Sequence, residues 1–343
     1  MTRAAGLLDL TPEETKARVV ASGGKPFHGK IVREQVLEKG VLDYGEMTAL
    51  SVPLRERLAA ELPILTTREE QRLESPDGTI KLLLALGDSG TIETVYIPSH
   101  RPERGATLCI STQIGCPVGC PFCASGLLGL ERNLRAGEIV EQFVRGKALG
   151  PVSRAVVMGI GEPLLNADNL FRALRVVRGE IGIGARKITV STVGFPERVH
   201  RAADADPPFQ LAISLHTPDD EQRDHLVPAM AGVPIDDVLA AGDYWFAKTG
   251  REITYEYVLL AGENDSIDHA GRLAERIAGR RATVNLIPFN PVAEGPWRRP
   301  RPEDVQAFQE RLTQSGVVAT VRWSRGLDAQ AACGQLRIQA RSA

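Results

Sequence analysis

The sequence predicts an α/β fold: a parallel sheet curled into a partial barrel of six β-α units, preceded by a small helical module and a β-hairpin. Three observations carry this. From Ala106 onward, short runs rich in Val, Ile and Leu alternate with helix-like segments, the pattern of consecutive β-α units around a parallel sheet. Before residue 100 the pattern differs, with three short helical stretches and then two apolar runs about a Gly-Asp-Ser-Gly turn. The 343 residues are 43% apolar and 24% charged, a soluble globular composition long enough for one large domain with an appendage.

In the first module, Thr11 followed by Pro12 and Glu14 fits an N-cap, a first-turn proline and a capping box. A second helix fits GKIVREQVLEKG, closing at Gly40, and a third fits PLRERLAAEL. The runs in TIKLLLALGDSGTIETVYIP form the hairpin. Its GDSGT segment (87–91) has the look of a phosphate loop, but the flanking strand patterns favour a turn. Residues 1–100 are therefore one module and 101–343 another. In the second, ATLCIS, AVVMGI, KITVST, QLAISL, ITYEYVLL and ATVNLIPF are the strand candidates. AGEIVEQFVRGKALG, NADNLFRALRVVRG, IDDVLAAGDYWFAKTG and SIDHAGRLAERIAG are helix candidates between them. Ile139, Val140, Phe143 and Val144 keep one face of the first of these helices apolar. PEDVQAFQERLTQSG and VVATVRW add a last helix and strand. The active site is expected at the C-terminal ends of the strands.

No apolar run approaches the roughly 18 residues of a membrane span, and the N-terminus lacks the apolar core of a signal peptide, so a cytoplasmic protein without membrane partners is expected. Five cysteines, an odd number, argue against a disulfide framework and for metal or thiol chemistry. Four of them, Cys109, Cys116, Cys120 and Cys123, crowd into CISTQIGCPVGCPFC, and Cys333 stands far downstream in AACGQL. Cys116, Cys120 and Cys123 follow the first strand with spacing C-x3-C-x2-C. Three thiolates suit a [4Fe-4S] cluster with one iron open to a substrate ligand. The alternative is a structural zinc site with Cys109 as fourth ligand. Taken alone, Cys333 among small residues and Cys109 in an apolar strand read as buried structural thiols.

The C-x3-C-x2-C loop after the first strand of a six-unit domain resembles the radical S-adenosylmethionine (SAM) superfamily. More narrowly, the chain resembles the RlmN/Cfr family of RNA adenosine methyltransferases. TLCISTQIGC, RNL (132–134), MGIGEPLLN, ITVSTVG, SLHTPDDEQRDHLVP, ITYEYVLLAGENDS, VNLIPFNP and AACGQL match in the family's order. In the first module KPFHG, KGVLDYGEMTALS and IETVYIP match as well, so the resemblance spans essentially the whole chain.

The resemblance implies a radical SAM barrel with a [4Fe-4S] cluster on Cys116, Cys120 and Cys123, and two SAM molecules per turnover. One SAM methylates Cys333. The other yields a 5′-deoxyadenosyl radical that takes a hydrogen atom from that methyl group, and the methylene radical adds to adenine C2. Glu93 then removes the C2 proton, and Cys109 attacks the Cys333 sulfur, leaving a disulfide that reductant reopens. Without the resemblance, Glu93 reads as a solvent-facing strand residue. By motif, Gly161 and Glu162 meet the SAM amino group, and Ser191, Ser214, Leu215, His216 and Asn290 are the remaining SAM contacts. Implied partners are 23S rRNA, tRNA as a further candidate substrate, and an electron donor such as flavodoxin or ferredoxin.

Two features depart from this expectation. The family has Asp-Ile-Asp before Ala-Ala-Cys, whereas this chain has Asp328, Ala329 and Gln330, which bears on positioning of the Cys333 loop. The net charge of −2 gives no general phosphate footprint, leaving local basic stretches as candidate RNA contacts: Trp297, Arg298, Arg299 and Arg301, and Arg322 with Arg325. Two rival functions remain: Cfr-type methylation at C8, whose catalytic residues are shared, and a catalytically silent RNA-binding or ribosome-assembly factor. GIGEP and the first module lean to C2, and a silent protein has no use for Cys333.

Overall fold

A computed structural model describes residues 5–87, 90–127, 129–292, 295–326 and 328–336. The chain opens with α1 (Pro12–Ala21), α2 (Pro26–Arg33, running on through a π-helical turn at Glu34–Glu38) and α3 (Val52–Glu61). The α1 cap forms as the sequence predicts: Thr11 Oγ1 accepts from the Glu14 amide at 3.2 Å, and the Glu14 carboxylate accepts from the Thr11 amide at 2.8 Å.

Strands β1 (Thr67–Glu74), β2 (Ile80–Leu86) and β3 (Thr91–Ile97) follow, paired antiparallel. The predicted hairpin is β2–β3; Asp88 and Ser89 of its turn lie outside the described residues. β1 was not expected. Its sequence, TREEQRLE, carries five charges because it is a mostly exposed edge strand, and charge on an edge discourages pairing with other chains.

β4 (Ala106–Cys109) joins the hairpin to the barrel, antiparallel to β3 and parallel to its next neighbour. A short ribbon of β5 (Gln113–Gly115) and β6 (Leu130–Asn133) brackets the cysteine loop. The β-α alternation then runs α4 (Ala136–Leu149), β7 (Val152–Val157), α5 (Ala167–Val176), β8 (Ile188–Thr192), α6 (Pro196–Asp204) and β9 (Gln210–Ser214). It continues with α7 (Asp220–Leu226), α8 (Ile235–Thr249), β10 (Ile253–Leu259), α9 (Ile267–Ile277), β11 (Ala282–Pro288), α10 (Pro302–Gln314) and β12 (Ala319–Val321). The ten-stranded sheet has the order β1-β2-β3-β4-β7-β8-β9-β10-β11-β12, parallel from β4 onward. All six expected barrel strands are present, and β12 adds a seventh.

Helix α4 shows how the first module is fastened to the barrel. Ile139, Val140, Phe143 and Val144 are buried on the sheet, as expected, but the polar side is buried too. Glu141 accepts from the Thr66 and Thr67 amides at 2.8 and 3.0 Å, and Arg145 pairs with Glu141 and donates to Thr67 O at 2.6 Å. The charges satisfy backbone groups at the start of β1 that would otherwise be costly to bury. The apolar core runs without a break from Leu7 to Val317.

Candidate active site

The parallel strands end around two neighbouring cavities of about 160 and 180 Å³. The first is lined by Cys116, Cys120 and Cys123 together with Gly161, Glu162 and His216. The second is lined by Cys109, Met158, Arg322, Trp323 and Ala331. Cys333 lines both. The residue is exposed where it borders them; burial by the surrounding protein still raises its thiol above the ordinary range, with the Arg322 charge acting against that rise. Asn290 also reaches both cavities.

All five cysteines are free thiols. Burial raises the three loop thiols, Cys116 to about 12; Cys123 raises Cys116 further, and both raise Cys120. Backbone amides answer this: those of Val118 and Gly161 point at the Cys116 sulfur, those of Ser125 and Gly126 at Cys123. Amides aimed at buried sulfurs suit thiolates bound to metal. Cys109, the fourth ligand of the zinc alternative, lines the other cavity. The donor set therefore fits a three-thiolate cluster.

Around the first cavity the loop after β7 must pass very close to the cysteine strand. A Cβ on Gly159 would stand 2.6 Å from Ile110 O, and one on Gly161 (φ +112°) 2.7 Å from Gln113 Cβ. The Gln113 Oε1 accepts from the Glu162 amide at 2.7 Å. The Glu162 carboxylate is held by Leu164 N, Thr192 Oγ1 and Val193 N at 3.1, 2.6 and 2.9 Å, and burial raises it against these bonds. Ser191 and Ser214 hydroxyls lie 3.3 Å apart on the wall. His216 has φ +68°, a conformation uncommon for a side chain of its size, fixed where its carbonyl accepts from Asn264 Nδ2 at 2.7 Å. Its Nδ1 accepts from the Val258 amide at 3.2 Å, and burial lowers its pKa to about 3, so the ring is neutral with the proton on Nε2. Leu215 differs from the rest: its side chain is wholly buried in the core and lines neither cavity, so only its backbone is available to a ligand.

The Cys333 loop is anchored through its backbone. Ala329 N donates to Ser75 Oγ at 3.2 Å, Lys81 Nζ to Gln330 O at 3.0 Å, Ala331 N to Gly326 O at 2.9 Å and Asn290 Nδ2 to Cys333 O at 3.0 Å. Ala124 N, next to Cys123, donates to Gly334 O at 2.8 Å. Backbone anchors do not depend on the side chains at 329 and 330, so the departure there leaves the loop in place.

Glu93 is not solvent-facing: it is 2% exposed, and its carboxylate pairs with the equally buried Lys81 at 3.0 Å. Two residues further along β3, Val95 is the register partner of Cys109 and packs with Ala331. Glu93 is thus tied through Lys81 to the loop of Cys333. Sequence reading missed Lys81, although a lone lysine in the apolar run IKLLLAL is the signal. It also missed Glu256 on β10, the single acid of ITYEYVLL. Glu256 lines the first cavity, accepts from Asn285 Nδ2 at 2.8 Å, and is pushed by burial up to about 7.

The basic stretches divide. Arg299 donates to Asn290 at 3.0 Å, Arg301 pairs with Asp304, and Arg325 is bound to Asp77. Arg322 lines the second cavity, where its charge lowers both the Cys109 and Cys333 thiols against the effect of burial. Beside it Trp323 is 54% exposed.

A parallel partial barrel with a cysteine triplet beyond its first strand defines a radical SAM enzyme, and the Radical SAM superfamily model matches residues 110–274. A radical SAM methyltransferase from Sphaerobacter thermophilus, of known crystal structure, superposes with a TM-score of 0.92 at 40% identity, covering 98% of this chain and 100% of that one. The probable dual-specificity RNA methyltransferase RlmN of Geobacillus kaustophilus is 44% identical over 342 residues, 98% of this chain and 93% of that protein. Its namesake in Nostoc punctiforme is 41% identical over 338 residues, 96% and 93% of the two chains. The chain belongs to the RlmN family of radical SAM methyltransferases, a family that implies a [4Fe-4S] cluster and SAM.

Proposed function

We propose that this protein methylates C2 of an adenosine in 23S rRNA, and in tRNA as a second substrate, through an S-methyl group carried on Cys333. The observation that supports this above all is that Cys333 lines two cavities, one shared with the cysteine triplet and one with Cys109. The relatives' printed names, RNA methyltransferases of dual specificity, support the substrate class. In this reading residues 1–100 serve RNA recognition and 101–343 are the catalytic core. The work is cytoplasmic, and no helix among the described residues is long and apolar enough to cross a membrane.

Cys116, Cys120 and Cys123 hold the cluster, and Gly161, Glu162, Ser191, Ser214, His216, Asn290 and the Leu215 backbone hold SAM, two molecules being used in each turnover. Cluster and SAM, when bound, supply an electrophilic methyl group and, with an electron from a flavodoxin or ferredoxin, a 5′-deoxyadenosyl radical. Cys333 sulfur takes the methyl group, aided by the Arg322 charge. That methyl group loses a hydrogen atom to the 5′-deoxyadenosyl radical, and its methylene carbon adds to C2, a carbon too electron-poor to attack a sulfonium itself. The adduct radical returns one electron to the cluster as the C2 proton leaves. Glu93 removes the C2 proton; its carboxylate pairs with Lys81, which also donates to Gln330 O in the loop of Cys333. The Cys109 thiolate then attacks the Cys333 sulfur, and the bond from that sulfur to the methylene carbon breaks. The carbon keeps the electron pair and takes up a proton to become the product's methyl group, and a disulfide is left for reductant.

Incubating the protein with 23S rRNA, SAM and reductant, then digesting the RNA for mass spectrometry against standards, should yield 2-methyladenosine. 8-Methyladenosine would establish the C8 rival, and no methylated base the silent one. The base must leave its stack, at about a few kcal/mol, so free rRNA should be methylated at least several-fold faster than finished large subunits. Equal initial rates on the two would count against base extrusion as the controlling cost.

A further inference from the structure

We infer that Arg223 is the fixed counter-charge of the cluster held by Cys116, Cys120 and Cys123, and that it sets the potential at which that cluster accepts its electron. The inference rests on the cluster reading above. Arg223, on α7, is 1% exposed. Its Nη2 donates to Val193 O at 2.7 Å and Ser214 O at 3.4 Å, both residues of the first cavity's wall. Among the described residues nothing accepts from its Nε or Nη1, and no carboxylate pairs with it. Burial lowers it only to about 10, so it is cationic at neutral pH.

A buried guanidinium with two idle nitrogens is costly unless an anion is supplied. Asp220 and Asp224 act on it only at a distance, and Asp220 is engaged by Arg276 at 3.1 Å and by the Ile235 amide at 2.6 Å. Its charge also reaches the ring of His216, which is neutral, so the anions left for it to face are the thiolates of Cys116, Cys120 and Cys123, which line the same cavity as the Val193 and Ser214 it binds. Three thiolates on the oxidised cube carry one net negative charge, and two after reduction. A fixed cation beside them therefore favours the reduced state more than the oxidised one. Arg223 does not line the cavity, so it acts through the field and not by touching SAM. The turn that follows its helix is tied to the cysteine loop, Ala229 N donating to Val118 O at 3.2 Å.

The test is a potentiometric titration of anaerobically reconstituted full-length protein, followed by electron paramagnetic resonance, for wild type, Arg223→Lys and Arg223→Gln. The Gln variant should keep about four iron, with its reduction equilibrium about tenfold less favourable, a shift of 59 mV to lower potential for one electron. The Lys variant should stay close to wild type. Loss of iron by Gln but not by Lys would equally support a charge requirement. Unchanged potential in a loaded Gln variant, or loss of iron by both variants with helix content intact, would overturn the inference. Absence of a four-iron cluster from the wild type would remove the cluster reading and the inference with it.

Discussion

Replacing Cys109 and Cys333 by alanine should stop the reaction at two different points. Cys333→Ala has no sulfur to carry the methyl group, so it should yield neither methylated RNA nor any protein–RNA adduct. Cys109→Ala leaves the first cavity and its thiols unchanged, since Cys109 belongs to the second. The methylene carbon should still form and add to the base, and nothing would then attack the Cys333 sulfur. The expected product is protein joined covalently to RNA, approaching one RNA per active molecule, seen on a denaturing gel as a shift that nuclease removes. Glu93→Ala should trap the same species more weakly, because water can slowly replace the base. In wild type the release step should quicken with pH. Burial pushes the Cys109 thiol up to about 12, so its thiolate fraction grows about tenfold per unit with no plateau below pH 9. Identical behaviour of the two cysteine variants, or normal turnover by Cys109→Ala, would end this division of labour.

The alternation of β and α segments was legible because each barrel strand is a short apolar run between amphipathic helices. All six such strands are found, with ends moved by a few residues. Strand β1 was not legible: with one face and one edge in water, its composition is set by solubility and carries no apolar period. Neither was the environment of Glu93, since only tertiary structure brings Lys81 and Gln330 to it. Leu215 shows the opposite limit. A motif names the residue, but just past the end of β9 its side chain is buried in the core, which leaves only the backbone to serve the site. Arg223 lay inside the matched stretch SLHTPDDEQRDHLVP, and nothing in a charged helix sequence distinguishes a buried arginine from a solvated one.

Anaerobically purified protein should contain about four iron and four sulfide per chain and little zinc. Alanine at Cys116, Cys120 or Cys123 should each reduce iron to near background and abolish methylation, because a cube held by two thiolates lacks the seat that the loop provides. Cys109→Ala should retain full iron. The structure gives the physical reason for the contrast. Cys116, Cys120 and Cys123 share one cavity, whereas Cys109 sits at the end of β4 and lines the neighbouring one, where the Met158 amide points at its sulfur and Arg322 stands near. The measurement is metal analysis of the four variants with iron–sulfur absorbance as a second readout. Near-stoichiometric zinc in wild type together with metal loss from Cys109→Ala would install the zinc alternative, and no radical step could then be drawn through this loop.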